Sequence, residues 1–314
     1  MADPTPPPAS PDALARLAGT ARPIDARALA RVRQRLARAP VAPWLHEEAA
    51  RRMAERLALI LRTPATVLEW GPRLGGGSAL LRATYPRASF ATVEWEEVQA
   101  RSGRPRPGWR GWLGAREPAA RLPAEVAPQG AQLLWCNMGL HGVPDPAAQL
   151  QAWSRALAVD GFLMFSTLGP GSLPELRALY RQAGWGPAFA PLVDMHDLGD
   201  MMVAAGLADP VMDQELLTLT WPDARAALEE LRGLGGNVDP MRHSGLRTPR
   251  WLERLRQGLH GLASMRPDGR VTLTFELVYG HAFQAEPAPK VAARTTVPVE
   301  QLQRMARSTR RGGG

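Results

Sequence analysis

The sequence predicts an α/β fold: a doubly wound, mostly parallel sheet with an antiparallel edge, preceded by N-terminal helices and carrying helical insertions that form a cap. Three observations predict it. Short apolar runs alternate with helical patterns at the spacing of strand–helix–strand units. The first run, Ala65–Trp70, opens into the glycine-rich turn Gly71-Pro72-Arg73-Leu74-Gly75-Gly76-Gly77. The second run, Phe90–Trp95, carries an acidic residue near its end, Glu94, roughly 20 residues on, where such folds place a ribose partner.

Along the chain, a first helix is expected from near Ile24, with Asp25–Arg38 rich in Arg and Ala and short of large apolar residues. Trp44–Leu61 is a stronger helix, since Leu45, Ala49, Met53, Leu57 and Ile60 recur at helical spacing. After Ala65–Trp70 come a helix at Ser78–Tyr85, the strand Phe90–Trp95 and an Arg/Gly/Trp-rich stretch, Arg101–Arg116, to which no element is assigned. The strand Gln132–Asn137, the helix Pro146–Ala156, a turn at Asp160-Gly161 and the strand Phe162–Thr167 continue the alternation. Helices at Leu173–Gln182, Leu198–Ala205 and Pro222–Leu234, with strands at Glu215–Trp221 and Val271–Tyr279, complete the core. The last two strands are the expected antiparallel edge.

The division expected is a disordered N-terminus at 1–22, N-terminal helices at 23–62, and a main domain at 63–286. Helical insertions are expected around 170–197 and 222–265, then a flexible basic tail at 287–314, with a short helix at Val299–Met305.

Of 314 residues, 45% are hydrophobic, enough for a sizeable core without covalent staples. Cys136 is the single cysteine, which excludes an internal disulfide framework and a thiolate zinc cluster; no metal site is expected. The apolar runs are too short to span a bilayer and the N-terminus does not read as a secretory signal, so a cytoplasmic protein without a membrane role is expected. The net charge is +8 and Lys290 is the only lysine. Compositional bias accounts for the arginines on one reading, and an acidic partner on the other. No helix face interleaves arginines with aromatics, which argues against nucleic acid.

The glycines of the turn let a backbone pass close to a ligand. Its pattern departs from the G-x-G-x-x-G of nicotinamide-binding folds. Glu69, at the end of the first strand, and Asn137, at the end of the strand Gln132–Asn137, fall at the carboxyl edge where such sheets hold ligands. Trp70, Trp135 and Cys136 read as core.

Val67–Leu81 resembles the first motif of class I S-adenosylmethionine-dependent methyltransferases, an acidic residue followed by G-x-G-x-G. Glu69 stands at the acidic position and Gly71 and Gly75 at the outer glycines, with Arg73 in place of the middle one. Leu133–Asn137 with Pro144–Pro146, and Asp160-Gly161-Phe162, resemble later motifs of the same superfamily. Further motifs are similar to the BioC group, the malonyl-acyl carrier protein O-methyltransferases of biotin synthesis. These include Phe165–Pro170, Leu173–Leu176, Asp194–Asp200, Ala208–Asp213, Leu217–Thr220, Leu234–Asn237 and Phe275–Ala282, and the likeness spans about residues 44–284.

The resemblance implies a methyltransferase fold and S-adenosylmethionine as cofactor, held by Glu69, Gly71, Arg73, Gly75, Gly77, Glu94 and Asn137. It implies Asn137 and His196 beside the reacting groups, and methylation of the free carboxylate of malonyl-acyl carrier protein by a monomeric enzyme. The partner implied is the acyl carrier protein or another acidic protein. Trp44–Glu48 is also similar to a sister group, assembly factors of respiratory complex I that modify protein. A third alternative is a catalytically silent relative, because a guanidinium at position 73 would crowd and repel a sulfonium. At about 4 Å and an effective dielectric near 20 that repulsion is about 4 kcal/mol.

Overall fold

The computed structural model describes residues 21–39, 41–97, 100, 120–264 and 267–286. The expectations for 1–20, for Arg101–Arg116 and for the tail at 287–314 lie outside them.

Helix α1, Ala26–Leu36, begins where the Asp25 carboxylate accepts from the Ala28 amide, an N-cap that satisfies an otherwise orphaned donor. Helix α2, Trp44–Arg56, follows Pro43 and buries Leu45, Ala49, Ala50 and Met53 on one stripe. The chain then alternates as its pattern predicts. Strand β1 is Thr66–Trp70, α3 is Ser78–Thr84, β2 is Ser89–Val93 and β3 is Ala131–Cys136. They are followed by α4, Pro146–Ala156, β4, Leu157–Leu168, and α5, Pro174–Gln182. Helix α6, Met195–Ala204, leads to β5, Leu207–Trp221, and the chain closes with α7, Ala224–Leu234, α8, Pro249–Ser264, and β6, Val271–Gln284.

The strand order is β2-β1-β3-β4-β6-β5. The first four strands are parallel, and β6 runs antiparallel to both neighbours, β4 and β5. Between β2 and β3 in sequence, Arg121 forms a single parallel bridge to Val93. The order reverses between β1 and β3, so the crevice at their carboxyl ends is the switch point of the sheet.

Alternation along each strand sends neighbours to opposite faces. Val67, Leu133, Trp135 and Met164 pack with α2, α3, α7 and α8, while Leu68, Leu134, Cys136 and Phe165 pack with α4 and α6. Strand β6 divides likewise: Val271, Leu273, Phe275 and Leu277 face one layer, Val278 and Ala282 the other. Trp70 and Trp135 are core, as expected, and burial pushes the Cys136 thiol up.

Several bounds differ from expectation for local reasons. Helix α6 starts three residues earlier than Leu198, because Asp194 caps it. Strand β5 begins at Leu207 rather than Glu215, directly after Gly206, whose φ of 86° ends the helix, and it pairs with β6 over its length. Asp160 holds the expected turn with φ of 63° inside the long β4.

Candidate active site

The glycine turn opens the site. Gly71 follows β1 with φ of 68°, a left-handed conformation that carries no penalty in glycine. Its amide donates to the Val93 carbonyl, tying the turn to the end of β2. Pro72–Gly75 is a single helical turn. A Cβ at Gly71 would stand 2.4 Å from the Trp95 indole nitrogen, and one at Gly75 would stand 2.6 Å from the Asn137 carbonyl oxygen, so both positions need glycine.

Glu69 is 1% exposed behind this turn; it accepts from the Ser78 hydroxyl at the start of α3 and lies 3.7 Å from Arg82. Glu94, just past β2, accepts from the Arg73 amide at 3.2 Å through one oxygen, while its other oxygen has no hydrogen-bond partner among the described residues. Burial raises its carboxyl from 4.5 to about 7, against the lowering pull of the Arg73 amide and charge.

Asn137 is fully committed. Its amide nitrogen donates to the His46 carbonyl at 2.7 Å and to the Gly75 carbonyl, and its oxygen accepts from the Ser166 hydroxyl at 2.5 Å. One side chain therefore ties α2, the glycine turn and β4 together at the switch point.

Beside these residues lies a cavity of about 500 Å³. Its floor is the turn and the end of β3, through Gly71, Gly75, Asn137 and Gly139. Its roof is helical: Leu29, Val32 and Leu36 of α1, with residues of α5, α7 and α8. Trp95 lines it between Gly71 and Gly139; a Cβ at Gly139 would meet the indole at 3.1 Å. The lining is mostly apolar and includes Arg22, Arg33, Arg35, Arg232, His46 and His141, with no aspartate or glutamate among the described residues.

Of the residues singled out in the sequence, Gly71, Gly75 and Asn137 line the cavity. Glu94 holds the turn through the Arg73 amide and is not itself among the lining residues. Arg73 is exposed and absent from the lining, so its guanidinium does not fill the hollow. Gly77 is positioned against α2 instead, where a Cβ would stand 2.9 Å from Ala50. His196 is also outside. Its side chain is 80% exposed and pairs with Asp194, the N-cap of α6, at 2.7 Å.

Sequence reasoning missed Arg22, His46, Trp95 and His141. Arg22 closes the segment expected to be disordered, yet it is 9% exposed and donates to the carbonyls of Pro191, His141 and Val143. Trp95 had a usable signal, since it directly follows the acidic residue after β2. His46 and His141 meet edge to face, their ring centres 6.2 Å apart. Burial lowers His46 to about 4 and His141 to about 3, so both are neutral at pH 7.

Comparison with known proteins decides the ancestry. Over 256 residues the chain is 37% identical to the malonyl-[acyl-carrier protein] O-methyltransferase of Laribacter hongkongensis, covering 78% of this chain and 84% of the relative. The protein of the same name from Gallionella capsiferriformans is 36% identical, with 79% of this chain and 86% of the relative covered. The chain belongs to the malonyl-[acyl-carrier protein] O-methyltransferase family. No family model matches it. Among solved structures, the YcgJ protein of Bacillus subtilis overlays with a TM-score of 0.48 at 14% identity, covering 76% of this chain and 99% of the other. Membership accounts for the ordered C-terminal motifs, which fall on β4, the start of α5, α6, β5 and β6; of these, β4, α5 and β6 reach the cavity. No described helix is long and apolar enough to cross a membrane.

Proposed function

We propose that this chain transfers the methyl group of S-adenosylmethionine to the free carboxylate of a malonyl thioester carried on acyl carrier protein. Family membership supports the reaction. The observation in the molecule that carries it is the cavity at the switch point, floored by a glycine turn and with no carboxylate in its described lining, while the buried Glu94 is hydrogen-bonded to that turn.

The residues present fit the cofactor. The unpartnered oxygen of Glu94 suits ribose hydroxyls, which donate to a carboxylate. The Gly71–Gly75 backbone suits the methionine portion, and Arg73 is turned away from it. Bound there, S-adenosylmethionine supplies an electrophilic sulfonium methyl to an in-line displacement by a carboxylate oxygen. A carboxylate is already ionised at neutral pH, so the chain needs no general base. Its own work is alignment and exclusion of water. The helical roof keeps the lining apolar, and neutral His46 and His141 bring no acidic proton to the nucleophile. Asn137 acts through the main chain by holding the turn against α2 and β4. The long apolar lining suits a thioester arm reaching in from a carrier, and the +8 net charge suits an acidic carrier protein.

The test is methyl transfer in vitro. Full-length protein, radiolabelled S-adenosylmethionine and malonyl-acyl carrier protein should give a labelled methyl ester, and acetyl-acyl carrier protein should give none. Label that enters the protein backbone or arginines of a partner instead would favour a protein modifier. Absence of any cofactor binding would favour a silent relative.

A further inference from the structure

The cavity lining contains four arginines among the described residues, and two of them are already committed. Arg33 pairs with Glu96 at 3.3 Å and donates to the Gly142 carbonyl. Arg35 donates to the carbonyls of Arg232 and Gly235 at the end of α7. Arg232 is exposed at the rim. Arg22 differs from all three. It is 9% exposed, and burial pulls its guanidinium down to about 10, which leaves it charged at pH 7. Its partners among the described residues are carbonyls, with no carboxylate. Nε donates to Pro191 at 2.7 Å and Nη1 to His141 and Val143, while Nη2 makes no hydrogen bond to a described residue.

A buried guanidinium facing neutral dipoles alone is costly, and an anion is the ligand that would relieve it. The neighbouring imidazole adds a donor. His141 is neutral, so one ring nitrogen carries a proton, and neither nitrogen has a hydrogen-bond partner among the described residues; Nδ1 is fully buried. His46 meets that ring edge to face and is fixed by the Leu74 carbonyl, which accepts from its Nδ1 at 2.7 Å. Among the described residues, this end of the cavity thus holds the Arg22 guanidinium and an unpartnered His141 N–H with no carboxylate in the lining, and the neighbouring Arg33 cation is already paired with Glu96.

We infer that Arg22 and His141 form the subsite that takes the carboxylate head of the acyl substrate, with His46 positioning the His141 ring. The inference deepens the proposed function and rests on it. Nη2 of Arg22 and the ring N–H of His141 hold the carboxylate, and the apolar lining takes the thioester arm. Carboxylate recognition then comes from the N-terminal segment rather than from the strand ends, and that segment becomes part of the substrate site.

The test is calorimetric binding of malonyl-S-pantetheine and acetyl-S-pantetheine to the full-length protein saturated with S-adenosylhomocysteine. Wild-type protein should prefer the malonyl compound. Arg22→Met should lower malonyl affinity about 30-fold, the loss expected when one partner of a buried charge pair is truncated, and leave acetyl and S-adenosylhomocysteine affinities unchanged. Arg22→Lys should restore part of the loss. His141→Phe keeps the ring volume and should cost about tenfold for the malonyl compound alone; it carries the test if Arg22→Met melts too low to fold. Retained malonyl preference in folded Arg22→Met would overturn the inference. So would a parallel fall in S-adenosylhomocysteine affinity, which would assign the cluster to the cofactor. Wild-type protein that methylates malonyl-acyl carrier protein while the variants keep full affinity leaves the functional reading standing and removes the subsite. Wild-type protein that binds neither thioester removes both.

Discussion

Glu94 ties stability to function in one carboxyl. Its pKa in the folded chain is raised from 4.5 to about 7 by burial, so the folded state holds this proton more tightly than the unfolded chain. The associated stability is fully present below about pH 4.5 and is lost as pH rises to about 7. By linkage the loss is about 3 kcal/mol at most. Glu94→Gln is therefore expected to raise the melting temperature by several degrees at pH 8, to be neutral near pH 4.5, and to weaken S-adenosylhomocysteine binding. Thermal melts across pH and calorimetry check the three together. Arg73 makes the opposite forecast. Its side chain is exposed and outside the cavity, so Arg73→Gly should change cofactor affinity less than about threefold, a small effect of the surface-charge kind. From sequence, position 73 read as an obstruction because the motif places a glycine there. The short helical turn at Pro72–Gly75 removes the obstruction by turning the side chain outward, and no spacing rule anticipates that. His196 shows the converse: its motif was legible, but the side chain serves the α6 cap. Asn137 was read as a strand-end residue beside the chemistry. It lines the cavity there, with every hydrogen bond spent inside the protein. Asn137→Ala would leave two buried carbonyls and a hydroxyl short of partners, and about 2–4 kcal/mol of stability should go with them, read by denaturant unfolding.

Among elements, the strands of the parallel half were legible because each is a short apolar run bounded by a glycine, a proline or an N-cap. Strand β5 was half legible: its outer residues face solvent in part, and only pairing with β6 decides its length. Helix α8 lay unseparated within the expected insertion at 222–265. Helix α1 was visible, but its purpose was not. Its stripe of Leu29, Val32 and Leu36 is thin by core standards because it faces a cavity rather than a packed layer. The Asp25 cap and the Asp25–Arg242 ion pair, 2.8 Å long, hold this roof helix at its start. Asp25→Ala should lower the denaturation midpoint modestly, because the Ala28 amide loses its cap. Hydrogen exchange should show the amides of α1 opening faster while those of β1 and β3 keep their protection.

At the scale of the molecule, the fold class could be read from alternation, whereas the cavity could not. Its lining comes from segments far apart in sequence, from Arg22 to Phe275, and only packing brings them together. The net charge of +8 has a readable consequence. With malonyl-acyl carrier protein as acceptor, KM should rise several-fold as ionic strength increases from low to physiological salt. With malonyl-S-pantetheine it should stay nearly constant, since the free thioester brings no acidic surface to be screened.

The central claim is that the hollow beside the glycine turn holds S-adenosylmethionine although arginine stands at the middle position of the motif. Calorimetric titration of the full-length protein with S-adenosylhomocysteine tests it most directly. The account predicts one site per chain with a dissociation constant in the micromolar range, weakened by Glu94→Gln and indifferent to Arg73→Gly. Absence of heat up to millimolar ligand, or binding gained only when Arg73 is replaced by glycine, would contradict it.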